Sequence, residues 1–168
     1  GYDFSKAEVI VSDGADFLGD WQGGTYSKGY AQGRVPKNGK MSRHIQFEAN
    51  LTLTGAKADK RVPATPSQQL EILKALTGGS ASGLPKNIAD AVNKAKAQLQ
   101  KAGSKALLVT SLPDVASQTM ALNSNASSEA MDANKPLLTR QSSNTEVVNV
   151  INGVVSGSIK GLITVGVD

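Results

Sequence analysis

The sequence predicts a three-layer α/β fold with a mostly parallel sheet, on three observations. Several short apolar runs are bounded by turn residues, which is typical of buried strands. Segments with helical spacing of apolar residues lie between these runs, and that alternation is typical of a parallel sheet. Aromatic residues make up only 4% of the chain, so small and aliphatic side chains must fill the core. We expect residues 1–168 to form a single α/β domain of this kind.

The apolar runs give the predicted strands. In chain order, the predicted strands are Glu8–Ser12, His44–Ala49, a short extended piece at Arg61–Pro63, Ala106–Thr110, a short strand at Pro136–Thr139, and Ile159–Val165.

Start and stop residues mark the predicted helices. They are Pro66–Leu76, the segment from Leu84 to a stop at Gly103, the segment from Pro113 to about Leu122, and a helix behind Ser143. Ser143 and Glu146 have the spacing of a capping box. The last helix is expected to bury Val147, Ile151, Val154 and Val155.

A Gly- and Tyr-rich insert, residues 19–43, follows the first predicted strand and is expected to be a loop. It holds Trp21, Tyr26 and Tyr30, and large apolar rings are costly to expose in a loop. Two interpretations stay open. The rings cover a small core of the insert itself, or they contact another protein, since Tyr and Trp are favoured interface anchors.

The turn after the first strand, Ser12, Asp13, Gly14, Ala15 and Asp16, is the first candidate site, because such turns border the ligand crevice of open α/β sheets. Only Gly14 and Gly19 match a dinucleotide fingerprint, and the two carboxylates would repel phosphate. Metal binding by Asp13 and Asp16 lacks a His partner. N-capping of a following helix by Asp16 is the favoured role.

The remaining polar candidates are basic. His44 is the only histidine and is interpreted as a polar residue at a strand end rather than a catalytic base. Arg34, Arg43 and Arg61 could hold an anion or a carboxylate of a partner, or could form surface ion pairs. We regard Arg34, Arg43 and His44, with the rings of the insert, as candidates for protein contact.

Composition excludes several functions. The chain has no cysteine, so it contains no disulfide, no thiolate nucleophile and no cysteine-ligated iron–sulfur cluster or zinc. Its net charge is +4 with dispersed basic residues, which indicates an ordinary solvated surface rather than a nucleic-acid face. No apolar run suits a membrane span, and no signal peptide is visible. The two ends suggest a piece of something longer.

Three segments resemble the molybdopterin oxidoreductase family. Lys6–Leu18 is similar to the strand and turn that line its pterin-dinucleotide pocket, Ala58–Pro66 to a segment that leads into a helix, and Gly157–Val167 to the strand that begins the next half of its fold. The resemblance implies a Rossmann-like sheet. The family has Asn-Pro where this chain has Asp16-Phe17, and it has an Asp-Pro-Arg-type motif where this chain has Glu48-Ala49-Asn50.

A more specific resemblance is to the large iron–sulfur subunit of the bacterial alternative complex III, a quinol:electron-acceptor oxidoreductase. It rests on Gly33-Arg34, Met41–Glu48 and Leu53–Asp59. In that family the molybdopterin-like region keeps the fold without a molybdenum cofactor, and the iron–sulfur clusters lie in a separate Cys-rich region. The resemblance implies a place on the periplasmic side of the membrane, with the other subunits of a respiratory complex and the rest of the parent chain as partners.

From this resemblance we expect a non-catalytic scaffold domain with a vestigial cofactor turn at Ser12–Asp16 and no cofactor of its own. The altered residues at the turn favour the same conclusion. Two alternatives remain: a cofactor-binding domain of an active molybdopterin-dependent oxidoreductase, and a small α/β enzyme that acts on a phosphorylated metabolite.

Overall fold

The computed structural model of the chain describes residues 1–21, 26–135 and 144–163. The contacts group the chain into two compact units, Gly1–Leu137 and Leu138–Asp168. The larger unit carries the sheet. Two predicted features, the short strand at Pro136–Thr139 and the capping residue Ser143, lie outside the described residues. The expectation of a single domain stays a prediction.

The larger unit is a mixed α/β structure with a parallel sheet of four strands in its described part. These are β1 (Val9–Asp13), β2 (Arg43–Glu48), β3 (Lys60–Pro63) and β4 (Ala106–Thr110). Their order is β3-β2-β1-β4, and β1 pairs in parallel with both β2 and β4. Helices flank the sheet, and the predicted three-layer, Rossmann-like fold is therefore confirmed.

Helices of the larger unit cover both faces of the sheet. They are α1 (Tyr26–Gly33), α2 (Leu53–Ala56), α3 (Pro66–Leu76), α4 (Lys86–Ala102) and α5 (Val115–Ser124), preceded by a 3-10 turn at Phe4–Lys6. One core packs Val11, Ile45 and Leu108 of the strands against α3, α4 and α5. The other packs Ile10 and Leu107 against α1 and the 3-10 turn.

Most predicted elements of the larger unit are confirmed. The bounds of α3 and β4 agree with the prediction to the residue, and β1 is shifted by one residue. Helix α4 ends where Gly103 takes a φ of 57°, a left-handed conformation that favours glycine. Apolar runs were therefore sufficient to place these strands, and start and stop residues placed α3 and the end of α4.

The expectation that the insert is a loop is wrong for Tyr26–Gly33, which forms α1. Glycines hid the helix, because they lower helix propensity. They are present because the helix lies very close to its neighbours. A Cβ atom on Gly29 would lie 3.3 Å from the backbone nitrogen of Ser5, and one on Gly33 would lie 3.2 Å from Ser42 Oγ.

The smaller unit departs most from the sequence prediction. Helix α6 (Asn144–Val155) is present as predicted, but the four residues expected to be buried are exposed: Val147, Ile151, Val154 and Val155. An amphipathic helix buries its apolar stripe only when another layer packs against that stripe. Here α6 contacts the turn that carries Ile159 through Gly153, whose carbonyl oxygen accepts a hydrogen bond from Ile159 N. Residues 159–163 form no strand, because they pair with no described strand, and residues 164–165 lie outside the description.

Candidate functional site

The turn Ser12–Asp16 lies at the carboxyl end of β1, where the order of the strands reverses. The chain passes from β1 to β2 on one side and later returns to place β4 on the other side. The carboxyl ends of β1 and β4 therefore flank a topological switch point, which is where open α/β sheets bind their ligands. This is the position that a cofactor or substrate site would take.

Side chains of the protein itself occupy the space above this turn. Gly14 has a φ of 72°, and a Cβ atom there would lie 2.4 Å from Ser111 Oγ and 2.6 Å from Gln69 Nε2. The nearby amides are also engaged: Gly14 N donates to Phe47 O at 2.7 Å, and Ser111 N donates to Asp13 O at 3.0 Å. The space directly above Gly14 is therefore taken by Ser111 and Gln69, and the Gly14 amide is not free to bind a ligand.

The other polar residues of the turn hold the turn itself. Ser12 Oγ donates to Ala15 O at 2.9 Å. Asp16 Oδ1 accepts hydrogen bonds from Gly19 N, Thr54 N and Thr54 Oγ1, the last at 2.6 Å. The predicted role of Asp16 as the N-cap of a following helix is wrong, because a turn follows it. Its carboxylate fastens this turn to α2 instead.

The carboxyl group of Asp13 lies inside the protein. Its side chain is completely buried, and Oδ2 accepts a hydrogen bond from Thr110 Oγ1 at 3.2 Å. Oδ1 has no hydrogen-bond partner among the described atoms. Burial raises the pKa of Asp13 to about 7, although the Thr110 hydrogen bond opposes this rise. Asp13 therefore exchanges a proton near neutral pH.

A row of buried polar side chains runs along β2. His44, Gln46 and Glu48 alternate with apolar residues, so they share one face of the strand. That face lies on the side of the sheet that α1 covers, and each of the three is at most 1% exposed. The structure places His44 one residue inside the amino end of β2, close to its predicted place at the strand end, and shows in addition that its ring lies inside the protein.

Hydrogen bonds join this polar row from end to end. Gln46 Nε2 donates to Ala15 O at 3.3 Å and to Glu48 Oε2 at 3.2 Å. These two bonds fix the amide orientation and leave Gln46 Oε1 to accept from His44 Nε2 at 3.2 Å. Burial lowers the pKa of His44 to about 4, against the hydrogen bond with Gln46. At neutral pH the ring is therefore uncharged and carries its hydrogen on Nε2.

The hydroxyl of Tyr30 closes the row at one end. It donates to Lys57 O at 2.9 Å, and its oxygen lies 3.1 Å from His44 Nδ1. A hydroxyl has a single hydrogen, so two acceptors share it when the histidine is neutral. This pairing ties α1 to β2 and to the residue after α2, which is a structural role.

Two of the three candidate arginines form partly buried ion pairs. Arg34 binds both oxygens of Asp59 at 2.7 Å, and Asp59 also accepts from His44 N. Burial raises the pKa of Asp59, but the bonds from Arg34 and His44 N hold it below its ordinary value. Arg61 donates to Glu48 at the other end of the row. Arg43 differs, since its side chain is exposed at the amino end of β2.

The aromatic side chains of the insert pack on the protein's own core. Tyr26 and Tyr30 are 9% and 6% exposed, and both contact the cluster built around Phe4 and Phe17. Trp21 is partly buried, with its ring centroid 5.7 Å from that of Tyr2. The packing thus accounts for Tyr26 and Tyr30 without a partner. Contact with another protein through the insert stays a prediction.

Sequence reasoning missed the polar row, although a signal was present. His44, Gln46 and Glu48 occupy every second position of a strand near the middle of the predicted order. In a parallel sheet both faces are covered, so polar residues at such positions must be buried and must bond to one another. The partners Tyr30, Thr52 and Arg61 are distant in sequence and carry no such signal.

The described residues offer neither a metal-binding group nor a membrane-spanning helix. Within residues 1–21, 26–135 and 144–163, no three His, Asp or Glu side chains are grouped so that they could hold a metal ion. Among the helices of the same ranges, none combines the length and apolar character that a membrane crossing needs.

The comparisons with known proteins add no relative. No protein-family model matches the chain, and no curated protein is significantly similar to it.

Proposed function

We propose that this chain is a non-catalytic scaffold domain of a respiratory quinol:electron-acceptor oxidoreductase of the alternative complex III type. Its molybdopterin-type fold has lost the cofactor site. The observation that carries the proposal is the occupied crevice at the switch point. There, Gln69 and Ser111 take the space above Gly14, where a working cofactor turn leaves backbone room for phosphate.

The chemistry of the turn supports this proposal. A phosphate site needs free amide donors and positive potential, whereas Gly14 N and Gly19 N already donate within the protein. Asp13 and Asp16 add carboxylates to the same turn, and Asp16 is committed to holding Thr54. Opening this turn for a dinucleotide would break the bonds that fix α2.

The polar row on β2 supports a structural role in a different way. A catalytic histidine must reach a substrate, but His44 is completely buried beneath α1 and is bonded on both ring nitrogens. Glu48 is likewise held by Gln46, Thr52 and Arg61. These residues specify how the insert packs on the sheet.

The remaining parts of the proposal follow from the resemblance in sequence. The domain would lie on the periplasmic side of the bacterial membrane, held by other subunits and by the rest of its parent chain. Iron–sulfur clusters would be carried by a Cys-rich region elsewhere in that chain, with no cofactor in this domain. The exposed apolar face of α6 fits such an environment, because Val148 and Ile151 are 53% and 55% exposed.

Mass spectrometry of the purified protein, first native and then denatured, tests the loss of the cofactor site. The protein should be produced in cells that make the pterin cofactor, beside a molybdopterin-dependent enzyme as a positive control. We expect the mass of the bare polypeptide. Release of a pterin dinucleotide would refute the proposal and favour the alternative, a cofactor-binding domain of an active molybdopterin-dependent oxidoreductase centred on Ser12–Asp16.

A second experiment tests the scaffold role. Affinity purification through a tag on this chain, from a bacterium that makes it, should recover other respiratory subunits with quinol oxidation activity. Recovery of the chain alone, at a salt concentration that keeps respiratory complexes intact, would contradict the scaffold role. The change Trp21→Ala examines the insert separately, since unchanged assembly would remove it as a contact.

A further inference from the structure

We propose that a groove at the amino-terminal edge of the sheet binds an acidic surface of a partner protein. The groove holds about 930 Å³ and lies between the start of β1, the segment that joins α1 to β2, and the end of α4. The inference rests on the proposed scaffold role, because it specifies the chemistry of one partner in the assembly.

Basic side chains outnumber acidic ones in this groove by two to one. The six basic side chains that line it are Lys6, Lys37, Lys40, Arg43, Lys101 and Lys105. The three acidic ones are Glu8, Asp59 and Glu129, and each already accepts a hydrogen bond within the protein. The carboxylates are therefore committed, whereas much of the positive charge is not.

Four of the six basic side chains make no direct side-chain bond within the described ranges, although Lys40 and Arg43 lie close enough to Glu8 and Asp59 to lower the pKa of those carboxyls. Lys37, Lys40, Arg43 and Lys101 form neither a hydrogen bond nor an ion pair there. They come from two separate parts of the chain, residues 37–43 and the end of α4, and the fold brings them around one groove. Like charges placed together repel one another, so an acidic partner would relieve this repulsion and gain attraction.

A tight turn holds two of these lysines in place. Lys37 and Lys40 exchange two backbone hydrogen bonds, of 2.8 and 3.0 Å. Asn38 and Gly39 between them have φ values of 52° and 74°, and positive φ at both central residues is typical of a rigid two-residue hairpin turn. The pair is thus preorganised, which lowers the entropy cost of binding a partner.

Apolar side chains lie among these charges. Val35 and Met41 both line the groove and are 58% and 50% exposed. Protein interfaces commonly combine an apolar centre with a polar, solvent-accessible rim. The partner surface that fits this arrangement has Asp and Glu residues around an apolar side chain.

The lining favours a protein over a nucleic acid. None of the described residues that line the groove is aromatic, whereas binding of single-stranded nucleic acid relies on bases that stack on aromatic rings. The four unpaired cations are also exposed, so a single small anion would be held only weakly there. An extended acidic surface can engage all four.

Zero-length carbodiimide cross-linking of the assembled complex tests this directly, because the reagent joins only amines and carboxylates that are in contact. The complex is purified through a tag on this chain, and the linked peptides are identified by mass spectrometry. We expect Lys37, Lys40 or Lys101 to be joined to Asp or Glu of another polypeptide. The double variant Lys37→Glu/Lys40→Glu should weaken retention of that polypeptide roughly tenfold and make it more sensitive to salt.

The matched control is Lys28→Glu, an exposed lysine of α1 outside the groove, which should leave retention unchanged. A circular dichroism melt of each variant verifies the fold, and the lysines of the turn have no side-chain bonds to lose. Full retention by the double variant, or cross-links only within the chain or to a second copy of it, would overturn the inference and leave the scaffold role intact. Purification of the chain without other polypeptides would overturn both.

Discussion

The buried carboxyl group of Asp13 makes a strong prediction about stability and pH. Its pKa is about 7 in the folded protein, against an ordinary value of about 4 in the unfolded chain. Between these values the unfolded chain releases a proton that the folded protein retains, so stability falls as pH rises. Three pKa units correspond to roughly 4 kcal/mol, lost progressively between about pH 4 and pH 7.

His44 acts in the opposite direction over nearly the same range. Its pKa is about 4 when folded and about 6.5 when unfolded, so the folded protein gains stability as pH rises from about 4 to 6.5. The gain is on the order of 3 kcal/mol. The two contributions therefore nearly cancel in the wild-type protein, which should show a shallow pH profile above pH 4.

The variant Asp13→Asn should remove one of these opposing contributions. The amide keeps the shape of the protonated acid and can still accept from Thr110, but it cannot ionise. We expect the variant to be more stable than the wild type at pH 8, by roughly 2 to 4 kcal/mol, and to show little difference at pH 4.5. The free energy of unfolding is measured by urea titration at several pH values, with the m-value used to verify two-state behaviour.

The test depends on the difference in free energy of unfolding between Asp13→Asn and the wild type, and on how that difference changes with pH. An Asp90→Asn control alters an exposed carboxylate paired with Lys86, and it should leave the shape of the profile above pH 5 unchanged. A difference for Asp13→Asn that stays constant from pH 4.5 to pH 8 would refute the reasoning. So would a loss of stability at pH 8, because it would mean that the ionised carboxylate has a partner in the folded protein.

Two further predictions concern the turn and the ion pair. Gly14→Ala should destabilise the protein by about 1 to 3 kcal/mol, and by more than Gly39→Ala does. Both positions have a positive φ, but only Gly14 lacks space for a Cβ atom. Thermal unfolding of both variants measures the difference, and equal losses of stability would mean that the space above Gly14 is not filled. Asp59→Ala should lower the free energy of unfolding by about 1 to 3 kcal/mol, because it leaves the partly buried Arg34 unpaired. In a double-mutant cycle, the double variant with Arg34→Ala should recover part of that loss. Strictly additive losses would exclude a coupled pair.

Local signals were sufficient for most of the fold. Pro66 and Gly103 are start and stop residues whose effects act within one or two turns of helix, so the sequence alone places α3 and the end of α4. The α1 helix was missed because its glycines are explained only by what the helix touches, the backbone of Ser5 and the side chain of Ser42. Contacts of that kind join residues that are far apart in sequence.

The candidate site likewise has features that the sequence predicts and features that depend on contacts between distant residues. The position of the turn at Ser12–Asp16 followed from the end of an apolar strand, but the side chains above Gly14, those of Gln69 and Ser111, come from other parts of the chain. The expected burial of Ile151 was wrong although the local helical pattern was read correctly. A helical stripe predicts that a helix has something to pack against, and it does not say whether the same unit supplies that surface.

The two edges of the sheet differ in a way that bears on how such a domain can serve an assembly. At the carboxyl edge, where folds of this type place their chemistry, the amide of Gly14 and the carboxylate of Asp16 bond within the protein. At the amino edge, Lys37, Lys40 and Lys101 form no side-chain hydrogen bond or ion pair with the described residues, and they lie beside exposed apolar side chains. Under the proposed function, these internal bonds hold the first edge closed to a cofactor, whereas the exposed cations of the second edge would gain free energy from an acidic partner. If the proposed function holds, such an exchange of a ligand crevice for a docking edge would leave the fold unchanged, because the sheet that positions one edge also positions the other.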